Sequence, residues 1–368
     1  MTFRVVQLTQ EALKAQCKVD DFDEWGAPTL DLQQYQRKEE LQRATPFSQR
    51  GSIFWALVED NGDSGNSNHL VAGETVLYCH CESHRFDCVV RRSSGDIERG
   101  YSHHIGSVFT LPEHRKRGLA KLFMTQVAKQ LGELPGTLVS VLYSDIGSTY
   151  YDKLGWRLHP STMAILDVAH PSNAKGDSDN SSKLESLALD EKLAGFLQAD
   201  GAKLVRELAS ERFKRREAFA ILATRDSIEW QFCIGVHFAR VHKYEELPSC
   251  CGVKISEDAF VIWCHNVKES TLYVVRARFP EAGENAAETA RLLLSAALEE
   301  ARRFNLKKVA IWDPPSVLAG ADIRRHLEIQ VVEREDSLSS AMLFHHGDDA
   351  GSATALPHWL DNEKYAWV

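Results

Sequence analysis

The chain has 368 residues, 43% hydrophobic and 26% charged, with a formal net charge of −9. That length suits two domains of roughly 100–200 residues each, and the acidic balance excludes a general nucleic-acid binder, which must neutralise phosphates with Lys and Arg. No run approaches the roughly 20 apolar residues of a membrane span; the acidic excess is ordinary for a cytosolic enzyme and also suits a cationic substrate. In chain order, residues 1–8 read as a first strand, without the long apolar run or cleavage site of a signal peptide. Thr9 is placed to cap a helix over about 10–19, and Thr29 a second one in which Leu30, Leu32, Tyr35 and Leu41 share a face. A strand is expected at 54–58, a turn-rich loop at 61–68, a long strand at 69–81, and a partner for it at 86–91.

Residues 101–110 read as a strand, with a turn at 111–114 because Pro112 biases Leu111 away from helix. A helix follows over 119–131, with Leu119, Leu122, Phe123, Val127 and Leu131 on one side. Further expectations are a strand at 137–143, a helical segment at 148–154 and a strand from Trp156. Residues 170–183 are polar and rich in Ser, Asn and Asp. They divide the chain into a first domain at 1–169, a linker at 170–185 and a C-terminal lobe at 186–368. In that lobe two helices (186–199 and 202–213), strands at 228–239, 259–265 and 272–279, a helix at 286–304 and a strand at 308–312 are expected. This strand–strand–helix–strand order echoes the first half but lacks a Gly-rich turn before its helix.

The eight cysteines include no CxxC pair, so neither a zinc site nor a redox centre is expected, and no metal. Reduced, buried thiols in a cytoplasmic protein are the plain reading. The doublets His345-His346 and Cys250-Cys251, and Asp313-Pro314-Pro315, read as loop, turn and strand end.

The segment from Gly106 to Ala120 carries the chemistry. A strand runs into the turn Arg115-Lys116-Arg117-Gly118-Leu119-Ala120, and a helix starts at the glycine. Unpaired N–H groups at the positive end of a helix dipole bind phosphate. Gly118 permits close backbone approach, Ala120 leaves room for a pyrophosphate, and the three basic residues add charge. After the next strand come Tyr151, Leu154, Gly155 and Trp156.

Together these two segments resemble motifs A and B of the GCN5-related N-acetyltransferase superfamily, a Q/R-x-x-G-x-G/A turn and a Tyr-x-x-Leu-Gly-Phe-like helix end. The resemblance covers about residues 50–165, with Trp156 in place of Phe. It implies an α/β fold with a mixed sheet: an N-acetyltransferase domain followed by a second, degenerate acetyltransferase-like α/β lobe. It implies acetyl-CoA as co-substrate, with Val108, Phe109 and Thr110 lining the acetyl group and one of their N–H groups polarising the thioester. Ser144 stands where the family often has Asn, so its contact with the cofactor is weaker or water-mediated. Tyr151 takes the place of the acid that protonates the leaving thiolate; packing of helix on sheet is its structural alternative. The amine must lose a proton, and His104, on the face of Gly106, and Glu74 are the rival bases.

The chain is also similar to the fungal lysine N6-acetyltransferases. Trp25-Gly26, Thr29-Leu30, Tyr35, Arg37, Gly73-Glu74-Thr75, Gly106 to Thr110 and Asn362 to Val368 carry that likeness. It implies free L-lysine as acceptor and N6-acetyl-L-lysine as product, in lysine degradation. Acetylation of another small amine or of protein lysines, and a non-catalytic acetyl-CoA-binding module, stay open.

Overall fold

The computed structural model describes residues 2–60, 62, 67–173, 183–214, 216–280, 285–345 and 355–368. The β-branched and aromatic runs of the first half build one sheet. Its strands β1 (Phe3–Leu8), β2 (Ser52–Glu59), β3 (Cys79–Arg91) and β4 (Ile97–Thr110) are antiparallel neighbours. Strand β5 (Thr137–Ser144) pairs with β4 in parallel. Parallel neighbours need a crossover, and α5 (Leu119–Glu133) supplies it. It buries Leu119, Phe123, Met124, Val127 and Leu131 against the sheet, while Leu122 is exposed.

Four helices fill the stretch between β1 and β2: α1 (Glu11–Asp20), α2 (Phe22–Trp25), α3 (Leu32–Arg43) and α4 (Pro46–Gly51). The cap of α3 is Asp31, not Thr29. Asp31 accepts from Gln34 N at 2.8 Å while Gln34 Oε1 accepts from Asp31 N at 3.1 Å, so two end donors are satisfied at once. Gln10, not Thr9, precedes α1. The long strand expected at 69–81 does not form as read. Glu74 N and Thr75 N both bond back to Val71 O, and Gly73 adopts φ +81, so this segment turns. The strand starts only at Cys79 and runs on to Arg91 as one element.

The second sheet runs β14 (Gln330–Glu333), β7 (Thr162–Asp167), β13 (Lys308–Trp312), β12 (Thr271–Arg278), β11 (Ala259–Asn266), β10 (Gly252–Ser256), β8 (Glu185–Leu187). Antiparallel β11 and β12, then α8 (Ala286–Arg303) leading to parallel β13, repeat the order of β3, β4, α5 and β5. Residues 281–284, which precede α8, lie outside those described. The two expected helices at 186–213 are instead β8 and one long helix, α6 (Glu191–Leu208), capped by Asp190. The expected strand at 228–239 is a helix, α7 (Arg225–Val241), with a Thr224–Ser227 capping box.

The two sheets exchange strands, so the division at residues 169 and 186 does not follow them. Strand β7 belongs to the second sheet, while β9 (Ala218–Ile221), β15 (Leu338–Leu343) and β16 (His358–Trp359) belong to the first. Strand β15 lies between β5 and the two-residue β6 (Arg157–Leu158) and covers the edge that β5 would leave open. Residues 174–182 of the expected linker lie outside those described. Asn173 before them is buried, its amide bonded to Asp167 O and Glu328 O.

The sheets share one core. Phe86, Val139, Val141 and Phe219 from the first meet Phe260, Ile262, Val275, Ala310 and Trp312 from the second. Each such side chain contributes about 1.5–3 kcal/mol by burial. A buried ion network pins the C-terminal segment to this core. Arg276, 1% exposed, bonds Asp200 at 2.8 and 3.1 Å, Asp361 at 2.6 Å, and Glu363. Arg276→Met leaves Glu363 without its buried cation, while Asp200 keeps Arg278, so stability at pH 7 is expected to fall by about 3–5 kcal/mol in urea unfolding; a loss under 1 kcal/mol refutes the network's role.

Candidate active site

Strands β4 and β5 stay paired only from Tyr101–Thr137 to Ile105–Leu142. Beyond that they part. On the other side of β4, His80 faces Phe109 but Glu82 faces Gly106, so β4 carries one extra residue. Ser107, within this bulge, adopts φ +52. A bulge bends its strand and increases local twist, here beside the opening of the cleft. On the side away from β3 the backbone of Val108, Phe109 and Thr110 therefore borders space, and all three line a cavity of about 900 Å³.

The basic turn lies at the mouth of this cleft. Arg115 donates from Nε to Thr110 O at 3.0 Å, and its guanidinium covers the Phe109 ring at 5.3 Å. Lys116 and Gly118 have φ of +62 and +78, which bends the chain into the start of α5. The first N–H groups of α5 have no acceptor within the helix. A Cβ built on Gly118 meets nothing within 4 Å, so the approach to these donors is open. Arg115 and Ala120 line the cavity; Lys116, Arg117, Gly118 and Leu119 complete the turn outside its lining. Leu119 is buried in the core, and Arg117 contacts His114 Nδ1 at 3.0 Å. Ser144 is also outside the lining: its hydroxyl donates to Gly147 O at 2.7 Å and shapes the turn after β5.

Tyr151 lines the cavity across from β4, held edge-on by Tyr150 at 5.0 Å and Trp156 at 6.4 Å. Among the described residues its hydroxyl has no hydrogen-bond partner, and burial raises its pKa well above that of a free phenol. The phenol therefore carries its proton at neutral pH.

The two rival bases are placed elsewhere. Glu74 is exposed on the turn before β3, outside the cavity. His104 is fully buried and does not line the cavity. Its Nδ1–H donates to Ala366 O at 2.6 Å and its Nε2 accepts from the Ser102 hydroxyl at 2.7 Å. Both ring nitrogens are thus committed, and burial pushes the imidazole down to about 3. His104 instead anchors the segment that closes the cavity. Gln231 on α7 grips the same segment, its amide donating to Lys364 O, Tyr365 O and Trp367 O at 2.8–3.0 Å. Trp367 and Val368 then line the cavity, and Val368 O lies 3.2 Å from where a Gly106 Cβ would be.

The groups that do face the cavity were missed in the sequence. Glu82, opposite Gly106, and Glu39 of α3 line it. Lys18 lies between them, 3.1 Å from Glu39, in contact with Glu82 and 3.7 Å from Asp21. Burial opposes the Lys18 charge, but Glu39, Glu82 and Asp21 outweigh it and hold the ammonium. His84 also lines the cavity. Its Nδ1 is 2.7 Å from Ser52 Oγ and its Nε2 is 3.6 Å from Glu82 Oε2, and burial keeps it neutral. The signal was the alternation His80, Glu82, His84 on one strand, which sets three titratable groups on one face.

His104 gives a pH signature for the segment it anchors. Its folded pKa of about 3 lies below the unfolded value, so the unfolded chain binds the proton first. The stability it lends is whole above pH 6.5 and declines by about 2 kcal/mol on going to pH 5. His104→Phe is expected to cost about 1–3 kcal/mol at pH 7. In urea unfolding the gap from wild type should narrow at pH 5; an unchanged gap means that His104 is not held neutral.

The model of the LYC1 GNAT-like C-terminal domain matches residues 167–368. A lysine acetyltransferase of Yarrowia lipolytica is 22% identical over 329 residues, 79% of each chain. An uncharacterized protein of Saccharomyces cerevisiae is 24% identical over 317 residues, 77% of each chain. A solved GCN5-related N-acetyltransferase from Kribbella flavida aligns with a TM-score of 0.52 at 16% identity, over 93% of this chain and 72% of that one. That likeness is one of fold. The parted strands, the phosphate-ready turn and the family match over more than half the sequence agree: the chain belongs to the LYC1 GNAT-like family and is an acetyltransferase of the GNAT type.

Proposed function

We propose that this protein moves the acetyl group of acetyl-CoA to the ε-amine of free L-lysine, giving N6-acetyl-L-lysine and CoA. The observation that carries the reading is the cavity itself. One wall is the parted β4 strand beside the start of α5; the other is the second sheet with α7, through Trp230, Phe238 and Tyr273. A cavity roofed in this way suits a small acceptor more than an extended peptide. Exposed Glu24, Asp145, Glu269 and Asp336 line it beside exposed Arg115 and Lys268, an acidic excess that suits a cation. The relative named lysine acetyltransferase supports the choice of amine.

The residues present fit the co-substrate. The open N–H groups at Gly118 and the basic turn suit the pyrophosphate of CoA. The edge of Val108 to Thr110 that faces away from β3, left without a strand partner, suits the pantetheine arm and the thioester carbonyl. The lysine ε-amine is mostly protonated at pH 7. Glu82, with His84 beside it, is the group we assign to receive the ammonium and draw off its proton. The free amine then forms the C–N bond as the C–S bond breaks; Tyr151 gives its proton to the departing thiolate, and the second proton that the acylated nitrogen sheds restores the Tyr151 phenol.

An acetyl-CoA consumption assay against L-lysine, ornithine, polyamines and a histone-tail peptide tests the reading. L-Lysine should be turned over best, and no turnover with it defeats the proposal. Tyr151→Phe should lower kcat by roughly 10²–10⁴ with acetyl-CoA affinity nearly kept; unchanged kcat removes it as the acid. Gly118→Asp should abolish CoA binding in calorimetry, by placing bulk and negative charge against the phosphates.

A further inference from the structure

One charged side chain in the cavity has no counter-charge of its own. Lys364 lies in the tail segment gripped by Gln231, is 4% exposed, and lines the cavity. Its Nζ lies 3.5 Å from the ring centre of Trp367, 4.4 Å from that of Trp312 and 4.6 Å from that of Tyr273. Among the described residues its ammonium forms no ion pair and no hydrogen bond. Aromatic faces offset part of the cost of burying an ammonium, but they do not replace an anion.

The neighbouring charges do not fill that role. Glu269 accepts from Asn266 Nδ2 at 2.9 Å and from the Tyr273 hydroxyl at 2.5 Å. Asp145 accepts from Ser337 N at 2.8 Å. Arg334, stacked on Trp312 at 3.5 Å, adds a second positive charge nearby. Burial draws the Lys364 amine down to about 7, with Glu269 opposing and Arg334 assisting. The cavity holds a second donor that is unpartnered among the described residues. Tyr143 lines the same cavity with its ring 5.5 Å from Trp312, and its buried hydroxyl has no partner among the described residues.

We infer that Lys364 and Tyr143 form the pocket for the α-carboxylate of the amino-acid acceptor. The inference rests on the reading of the acceptor as a free amino acid. An ammonium and a hydroxyl that line one cavity, each packed near the Trp312 ring, match the two oxygens of a carboxylate. Lys364 is four residues before Val368, which packs against Gly106 where β4 bulges. An amino acid with its carboxylate at Lys364 can extend its side chain toward the thioester. Tyr143, one strand over on β5, closes the carboxylate end. The rim carboxylates Glu269 and Asp145 suit the α-ammonium.

The test compares L-lysine with 1,5-diaminopentane, which has the same amine and chain but no carboxylate. Wild-type kcat/KM should favour L-lysine. Lys364→Met should lower the lysine-to-diaminopentane ratio roughly tenfold to a hundredfold, mainly through KM for lysine. Tyr143→Phe removes one oxygen and keeps the shape, and should lower the same ratio by a smaller factor; it answers the question if the first variant fails to fold. Equal losses with both amines make these residues structural and overturn the inference, as does an unchanged ratio in an enzyme that acetylates lysine. A wild type that turns over no lysine refutes the reading of the acceptor, and the carboxylate pocket with it.

Discussion

Two parallel strands that hold each other as far as Ile105 and Leu142 and then separate leave backbone groups that the sheet cannot satisfy. Such groups demand partners. The arrangement around them answers that demand. The bulge at Ser107 bends β4 away. The crossover helix starts at the end of the gap and brings its own unpaired N–H groups there. On the far side β15 covers the outer edge of β5, so β5 can give up its inner partner without becoming a loose end. A gap in a sheet is tolerable only if the sheet is secured on both sides of it, and the strand exchange secures it.

The segment proposed to take the acyl donor was legible as local structure, because its geometry is set by neighbouring residues. The turn at Arg115 to Ala120, the helix after it and the Tyr151 segment lie within forty residues, and their backbone needs (φ +78 at Gly118 above all) are written in residue types. The acceptor half was not legible. By strand alternation His104 shares the face of Gly106, and in the sheet it is covered by Ala366, 262 positions later. No local pattern announces such a cover. Glu82 was passed over because its partner Lys18 comes from α1, and neither residue looks unusual alone.

The misread helix is instructive in another way. Ile228, Trp230, Phe232, Ile234, Val236 and Phe238 alternate with smaller or polar residues, which is the period of a strand. They form α7, which is buried on more than one side because it lies between the second sheet and the N-terminal helices. A helix with so wide an apolar face no longer shows its own period. Its cap, Thr224 with Ser227, was the better guide. The tail segment shows the same dependence on distant parts: Gln231 holds three of its carbonyls, Arg276 holds Glu363, and Tyr365 reaches Ile221 O.

The exchange of strands also bears on how the protein is made. Strand β5 leaves the ribosome about 200 residues before β15, which is roughly 10–40 s at ordinary elongation rates. Throughout that time the nascent chain presents an uncapped parallel strand and a half-built apolar core. An edge of that kind invites pairing with other chains. The N-terminal half therefore cannot mature as a free-standing module, and its emergence is the interval in which a chaperone has most to offer. The strand exchange that walls the cavity carries its hazard in biosynthesis rather than in the finished fold.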